Sequence, residues 1–174
     1  MTLMVFVFIF LFVSCRTPST IAPEQIPAPE EVRLQALDYA RQYISLGAEY
    51  EWGGQDPLPR RIVVDCSGLV IRCYEYAASD HGYSLLFTDT TAAGMQRYSI
   101  SLNKQDLQPG DLLFMGTDGV VSHIALFVKI ENGNIYFIDS TYKPDEGING
   151  VTERFYSETD PRFIAFGRML VQKL

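Results

Sequence analysis

Cysteine is scarce in this chain. Three residues in 174 are too few for the disulfide framework of a small secreted scaffold. Positive charge is short as well. Fourteen Lys and Arg stand against 21 Asp and Glu, a formal net charge of −7, and no basic run interrupts the deficit. That argues against a nucleic-acid groove or a polybasic membrane patch, so no nucleic-acid partner is expected. Histidine occurs only twice, which narrows any search for a general base. The apolar run from Leu3 to Val13 covers 11 residues, against the roughly 20 that span a bilayer. No C-x-x-C or H-E-x-x-H spacing occurs, so neither a metal site nor another cofactor is implied. What is present, 47% hydrophobic and 20% charged residues, suits one ordinary domain with room for a core.

The Leu3–Val13 run is apolar all round and reads as the core of a secretory signal peptide over residues 1–14. It ends in Phe12-Val13-Ser14-Cys15. A small residue followed by Cys resembles the lipobox of bacterial lipoproteins. That resemblance implies lipidation of Cys15, export to the cell envelope and a lipid anchor in a membrane. A plain signal peptide or a retained hydrophobic anchor is the alternative. Residues 15–30 contain Pro18, Pro23, Pro27 and Pro29. Four prolines block a regular helix or ladder, so this stretch is expected to be a semi-extended tether. The folded domain is expected over 31–174.

Within the domain, Val32, Ala36, Ala40, Tyr43 and Ile44 recur at helical spacing, with glutamates at the start and Gly47 after the end. A second helix is expected from Cys66, capped by Asp65, with Leu69, Val70, Cys73 and Tyr74 on its apolar face. A short helix fits Thr91 to Tyr98. After the turn at Pro109-Gly110-Asp111, the segments Leu112–Met115, Ile124–Ile130, Ile135–Ile138 and Phe163–Leu170 read as strands. Asn132-Gly133 is a hairpin signal. Helices first and antiparallel strands second make an α+β pattern.

Cys66 falls in the first turn of its helix. Unpaired backbone N–H groups and the helix dipole favour a thiolate there, the nucleophilic form, and could later hold an oxyanion. Cys73, mid-helix on the apolar face, is assigned to the core. Seven residues of helix separate the two by roughly 10 Å, too far for a disulfide. For a base, His81 sits in a loop-like Ser79-Asp80-His81-Gly82 stretch, whereas His123 opens an apolar strand. His123 is therefore the candidate partner of Cys66. Asp139, the only acid at the end of the next strand, is the candidate to orient the imidazole. A regular two-residue turn at Asn132-Gly133 would put His123 opposite Tyr142 and Asp139 on the other face of the sheet. The triad therefore requires an irregular hairpin, through a longer loop or one bulge.

Five ordered stretches together resemble the NlpC/P60 family of cell-wall cysteine peptidases. They are Tyr50-Glu51-Trp52-Gly53-Gly54, Asp65-Cys66-Ser67-Gly68-Leu69-Val70, Leu107-Gln108-Pro109-Gly110-Asp111-Leu112, Ser122-His123-Ile124-Ala125 and Ile138-Asp139-Ser140. The resemblance implies a papain-like α+β fold, with N-terminal helices packed on an antiparallel sheet. It implies cleavage of peptidoglycan stem peptides, typically at the γ-D-glutamyl–diamino-acid bond. Cys66 would be the nucleophile, His123 the base and Asp139 the third polar residue, where the family usually has His. Tyr50, Asp65 and Ser67 match positions that line the substrate pocket and in some members recognise a free L-alanine amine. A carboxylate at Asp65 suits an ammonium group and also suits a helix cap. Trp52 is expected to be packing. The same framework also serves amidases and acyltransferases, and a non-catalytic wall-binding lipoprotein is a further alternative.

Overall fold

A computed structural model describes residues 24–56 and 61–174. The expected signal peptide, Cys15 and most of the tether lie outside the described residues. Helix α1 (Glu30–Ser45) opens after Pro29, with Glu30 and Glu31 in its first turn, where acidic side chains complement the dipole. Its buried stripe is Val32, Ala36, Leu37, Ala40 and Tyr43. Helix α2 (Cys66–Asp80) starts at the Asp65 cap and buries Leu69, Val70, Cys73, Tyr74 and Ala77. The two helices pack on each other. A short α3 (Ala92–Met95) comes after Thr91, whose hydroxyl caps it.

The strands are β1 (Gln25–Pro27), β2 (Tyr83–Leu85), β3 (Ser99–Leu102), β4 (Leu112–Thr117), β5 (Val120–Glu131), β6 (Asn134–Lys143), β7 (Ile148–Ser157) and β8 (Phe163–Lys173). They form one antiparallel sheet in the order β1-β8-β4-β5-β6-β7, with β2 and β3 also paired to β8. Leu112, Phe114, Ile124, Leu126 and Ile138 face the helices. Leu113, Met115, Ala125, Phe127, Ile135 and Phe137 form a second cluster, packed with Tyr156, Phe163 and Phe166. Burial on both faces explains why β4 and the middle of β5 read as unbroken apolar runs. The α+β, papain-like arrangement expected from the sequence is the one found.

Two expectations need correction. The folded unit does not begin at 31: Gln25–Pro27, the last part of the expected tether, pairs with Leu170–Gln172 of β8. Ala28 N–H donates to Met169 O at 2.8 Å, and Ala28 is buried. Proline lacks a donor but is tolerated in a short edge strand. Strand β7 has no counterpart in the sequence reading. Its polar residues Asn149, Thr152, Glu153 and Arg154 mask the alternation of an edge strand with one covered face.

The Pro109-Gly110-Asp111 motif has a structural use. Asp111 is fully buried and accepts from Arg168 Nε and Nη2, both at 2.8 Å, and from Gln108 N–H at 2.8 Å. Tyr74 OH donates to Gly110 O at 2.7 Å, tying α2 to the turn before β4.

Candidate active site

Asp65 shapes the entry to α2. Its Oδ1 accepts from Gly68 N–H at 2.6 Å and from Ser67 Oγ–H at 2.9 Å; its Oδ2 accepts from Gly53 N–H at 3.0 Å. The cap thus also fastens the Trp52-Gly53 turn beside the helix. A Cβ on Gly68 would lie 2.2 Å from Gly54 O, so only glycine lets the two segments approach this closely. Asp65 N–H donates to that same Gly54 O at 3.0 Å. Among the described residues no acceptor engages the N–H groups of Cys66 and Ser67. These two donors stay available at the helix start. Cys66 is part-exposed and unbridged, whereas Cys73 is fully buried and burial drives its pKa up. The core assignment of Cys73 stands.

His123 lies near the start of β5. The Asn132-Gly133 turn is the regular two-residue kind: Asn132 and Gly133 have φ of 50° and 74°, and Glu131 pairs Asn134. The irregularity sits farther along. Lys129 pairs Tyr136, but Phe127 pairs Phe137, leaving Val128 as an extra residue. This bulge changes the parity of the ladder and returns Asp139 to the face of His123. A second register shift at Met115/Gly116 skips Ser122 just before the histidine. Bulges beside a site re-aim side chains in this way.

The structure brings all three expected residues together. His123 Nε2 and Asp139 Oδ2 are 2.5 Å apart, with 22% of the histidine side chain exposed and none of the aspartate. The Cys66 thiol lies close enough to the ring to act on its charge. With Nε2 held by Asp139, Nδ1 is the nitrogen left for sulfur. Burial works to lower the His123 pKa, but the bond to Asp139 and the neighbouring Cys66 outweigh it and raise it to about 9. His81, by contrast, is an exposed residue at the end of α2.

Arg154 is the residue that sequence reasoning missed. From β7 its Nε donates to Asp139 Oδ1 at 2.9 Å and its Nη2 to Oδ2 at 2.5 Å. Burial opposes the charge on Asp139, yet the bonds from Arg154 and His123 hold its pKa below the ordinary carboxylate value. Only the alternation of Thr152, Arg154 and Tyr156 in an unrecognised strand could have signalled it. Ser140, next to Asp139, is buried and donates its hydroxyl to Val64 O at 2.6 Å. That bond ties β6 to the segment leading into Cys66.

A cleft of ≈ 540 Å³ opens over Cys66, walled by Asp65, Ser67, Trp52, Thr91 and Ser122 among others. Tyr50 is close by: burial first, then Cys66 and Asp65, raise its pKa and keep the phenol neutral. Tyr50, Asp65 and Ser67 therefore lie around the cysteine. Trp52 does not pack in the core. It is 86% exposed and stands at the rim, because the turn held by Asp65 projects it outward.

The NlpC/P60 family model matches residues 47–162 of the chain. No curated protein matches its sequence. Among solved structures, one from Staphylococcus aureus subsp. aureus Mu50, described as similar to lipoprotein, NLP/P60 family, has a TM-score of 0.53 at 22% identity. The match covers 88% of this chain and 45% of that one, so this chain spans under half of that protein's length. The NlpC/p60 domain of peptidoglycan hydrolase SagA has a TM-score of 0.51 at 21% identity, over 82% of this chain and 98% of its own. RipD from Mycobacterium tuberculosis, described as a non-catalytic NlpC/p60 domain protein, has a TM-score of 0.49 at 16% identity, over 84% of this chain and 100% of its own. The first two similarities bear on fold.

Proposed function

Since the chain belongs to the NlpC/P60 family, we propose that it is an exported cysteine endopeptidase that hydrolyses peptidoglycan stem peptides at the γ-D-glutamyl–diamino-acid bond. The observation that carries this reading is the linked set Cys66, His123 and Asp139: a thiol at a helix N-terminus, close to an imidazole whose Nε2 is fixed by a buried carboxylate. The arrangement favours a thiolate–imidazolium pair.

In the proposed reaction the Cys66 sulfur attacks the amide carbonyl carbon. The carbonyl oxygen takes the negative charge and is met by the N–H groups of Cys66 and Ser67. His123 gives its proton to the amide nitrogen, the C–N bond breaks, and the amine leaves a thioester behind. Water then gives a proton to His123 and its hydroxyl to the carbonyl carbon, the C–S bond breaks, and the acid leaves with the Cys66 thiolate and His123 imidazolium restored. Asp139 keeps the imidazole oriented and stabilises its charge throughout. On the acyl side, among the described residues Asp65 Oδ2 accepts only Gly53 N–H, so it retains a lone pair for a substrate ammonium.

Digestion of muropeptides followed by mass spectrometry tests this, with Cys66→Ala as control. New γ-D-glutamyl acid ends from the native chain alone are expected; equal product from both proteins would end the proposal. Lipid anchoring through Cys15 is part of the same reading. Labelled palmitate should enter the native chain and not Cys15→Ala, and equal incorporation would remove the anchor from it.

A further inference from the structure

A second cavity, of ≈ 210 Å³, opens beside His123 without touching Cys66. Lys143, Arg154 and Arg162 line it, and among the described residues no carboxylate does. Tyr156 is the post around which these cations gather. Lys143 Nζ donates to its hydroxyl at 2.9 Å, Arg154 Nη1 donates to the same oxygen, and the Arg162 guanidinium lies 3.5 Å from the ring centroid. Holding three like charges around one ring is unfavourable unless counter-charge is supplied. Their carboxylate partners stand outside the cavity. Asp139 binds Arg154 from within the sheet, Asp160 binds Arg162 through both oxygens, and Glu146 meets Lys143 at 2.9 Å. Glu146 is 55% exposed, and an exposed pair of this kind is exchanged at little cost.

The chemistry fixes which part of a substrate this cavity meets. The acyl half of the scissile bond must lie over Cys66, in the cleft that contains Asp65 and Ser67. The leaving nitrogen must reach His123 to receive its proton. The substrate beyond that nitrogen therefore lies on the imidazole side, where the cationic cavity opens. We propose that the Lys143–Arg154–Arg162 cavity is a subsite for a carboxylate on the residue that leaves with the amine. The inference rests on the hydrolase reading and adds a substrate requirement to it. Arg162, 42% exposed, and Lys143 present the accessible donors. A guanidinium fork and an ammonium together match a carboxylate.

Two carboxylates on the leaving residue would satisfy this chemistry, its α-carboxylate or one on its side chain. Three peptides with the same γ-D-glutamyl half separate them, carrying L-lysine amide, free L-lysine or the α-carboxamide of meso-diaminopimelate. At least one of the two carboxylate-bearing peptides should exceed the lysine amide by about tenfold in kcat/KM, mostly through KM. In Lys143→Gln/Arg162→Gln that preference should fall to within about twofold, and Lys143→Gln alone should lower it partway. Equal cleavage of all three peptides, or an unchanged preference in the folded variants, would overturn the proposal. If the native chain cleaves none of them, the hydrolase reading fails, and the cavity is judged by binding. Lysine amide, lysine and diaminopimelate carboxamide are then titrated against histidine-labelled protein, tracking the His123 resonances. A saturable shift that needs the carboxylate and vanishes in the double variant would sustain the subsite. Identical responses to lysine and lysine amide, or none, would remove it.

Discussion

Asp139 is charged inside the sheet because Arg154 closes both of its oxygens while His123 takes the remaining near contact. Removing one member of a buried ion pair leaves the other uncompensated, at a cost of about 3–5 kcal/mol. Arg154→Met should therefore lower Tm by roughly 10 °C, read by thermal denaturation. Arg154→Lys, which keeps charge but loses the fork, should recover only part of it. The pH dependence arises from the same contacts. His123 has a folded pKa of about 9 against an ordinary 6.5, so its contribution to stability is complete below 6.5 and fades as pH rises through 9. Asp139 is shifted the other way; its contribution is complete above the ordinary carboxylate range and fades as pH falls through its depressed folded value. Because the imidazolium must protonate the leaving amine, kcat/KM should decline above pH 9. In Asp139→Asn that alkaline limb should move to lower pH, measured in a pH–rate profile. At this scale Cys66, His123 and Asp139 were legible because there were few alternatives: two histidines, one acid on the right strand, one cysteine at a helix start. Arg154 was not, since one base among the 14 Lys and Arg carries no local mark of a buried partner.

The hairpin β5–β6 shows what element-level reasoning can and cannot reach. Alternation alone predicted that a regular two-residue turn would separate His123 from Asp139, and the conclusion that an irregularity was needed is met by the bulge at Val128. Where the extra residue sits was not readable, because the outer half of β5, from Val128 to Glu131, is at most half-buried and its pattern binds neither face. The buried pairs Phe127–Phe137 and Leu126–Ile138 hold the inner register. Deleting Val128 should therefore convert the ladder to continuous pairing without turning His123 away, leaving kcat/KM on muropeptides within about threefold of native. Helices α1 and α2 were legible to within a residue or two, since caps and spacing agreed with tertiary packing. Strand β7 was lost because a polar edge strand resembles a loop in composition.

On the scale of the molecule, the site joins parts far apart in the chain: the turn at Trp52, the start of α2, two central strands and the edge strand that carries Arg154. The N-terminal approach belongs to this assembly too. A chain starting at residue 30 loses the β1 pairing and the buried Ala28, worth about 2 kcal/mol. It should melt roughly 4–8 °C below one starting at residue 24. Proline content hid this docking, because it is the same whether a segment floats or lies along a sheet edge. The exposed rim residue Trp52 has one more implication. It is the sole tryptophan, and indole emission responds to hydration, so the chain carries its own optical reporter of occupancy. Native emission should sit at long wavelength, and titrating Cys66→Ala with an intact stem peptide should shift it to the blue. The spectrum would then give an affinity without label, coupling enzyme or turnover.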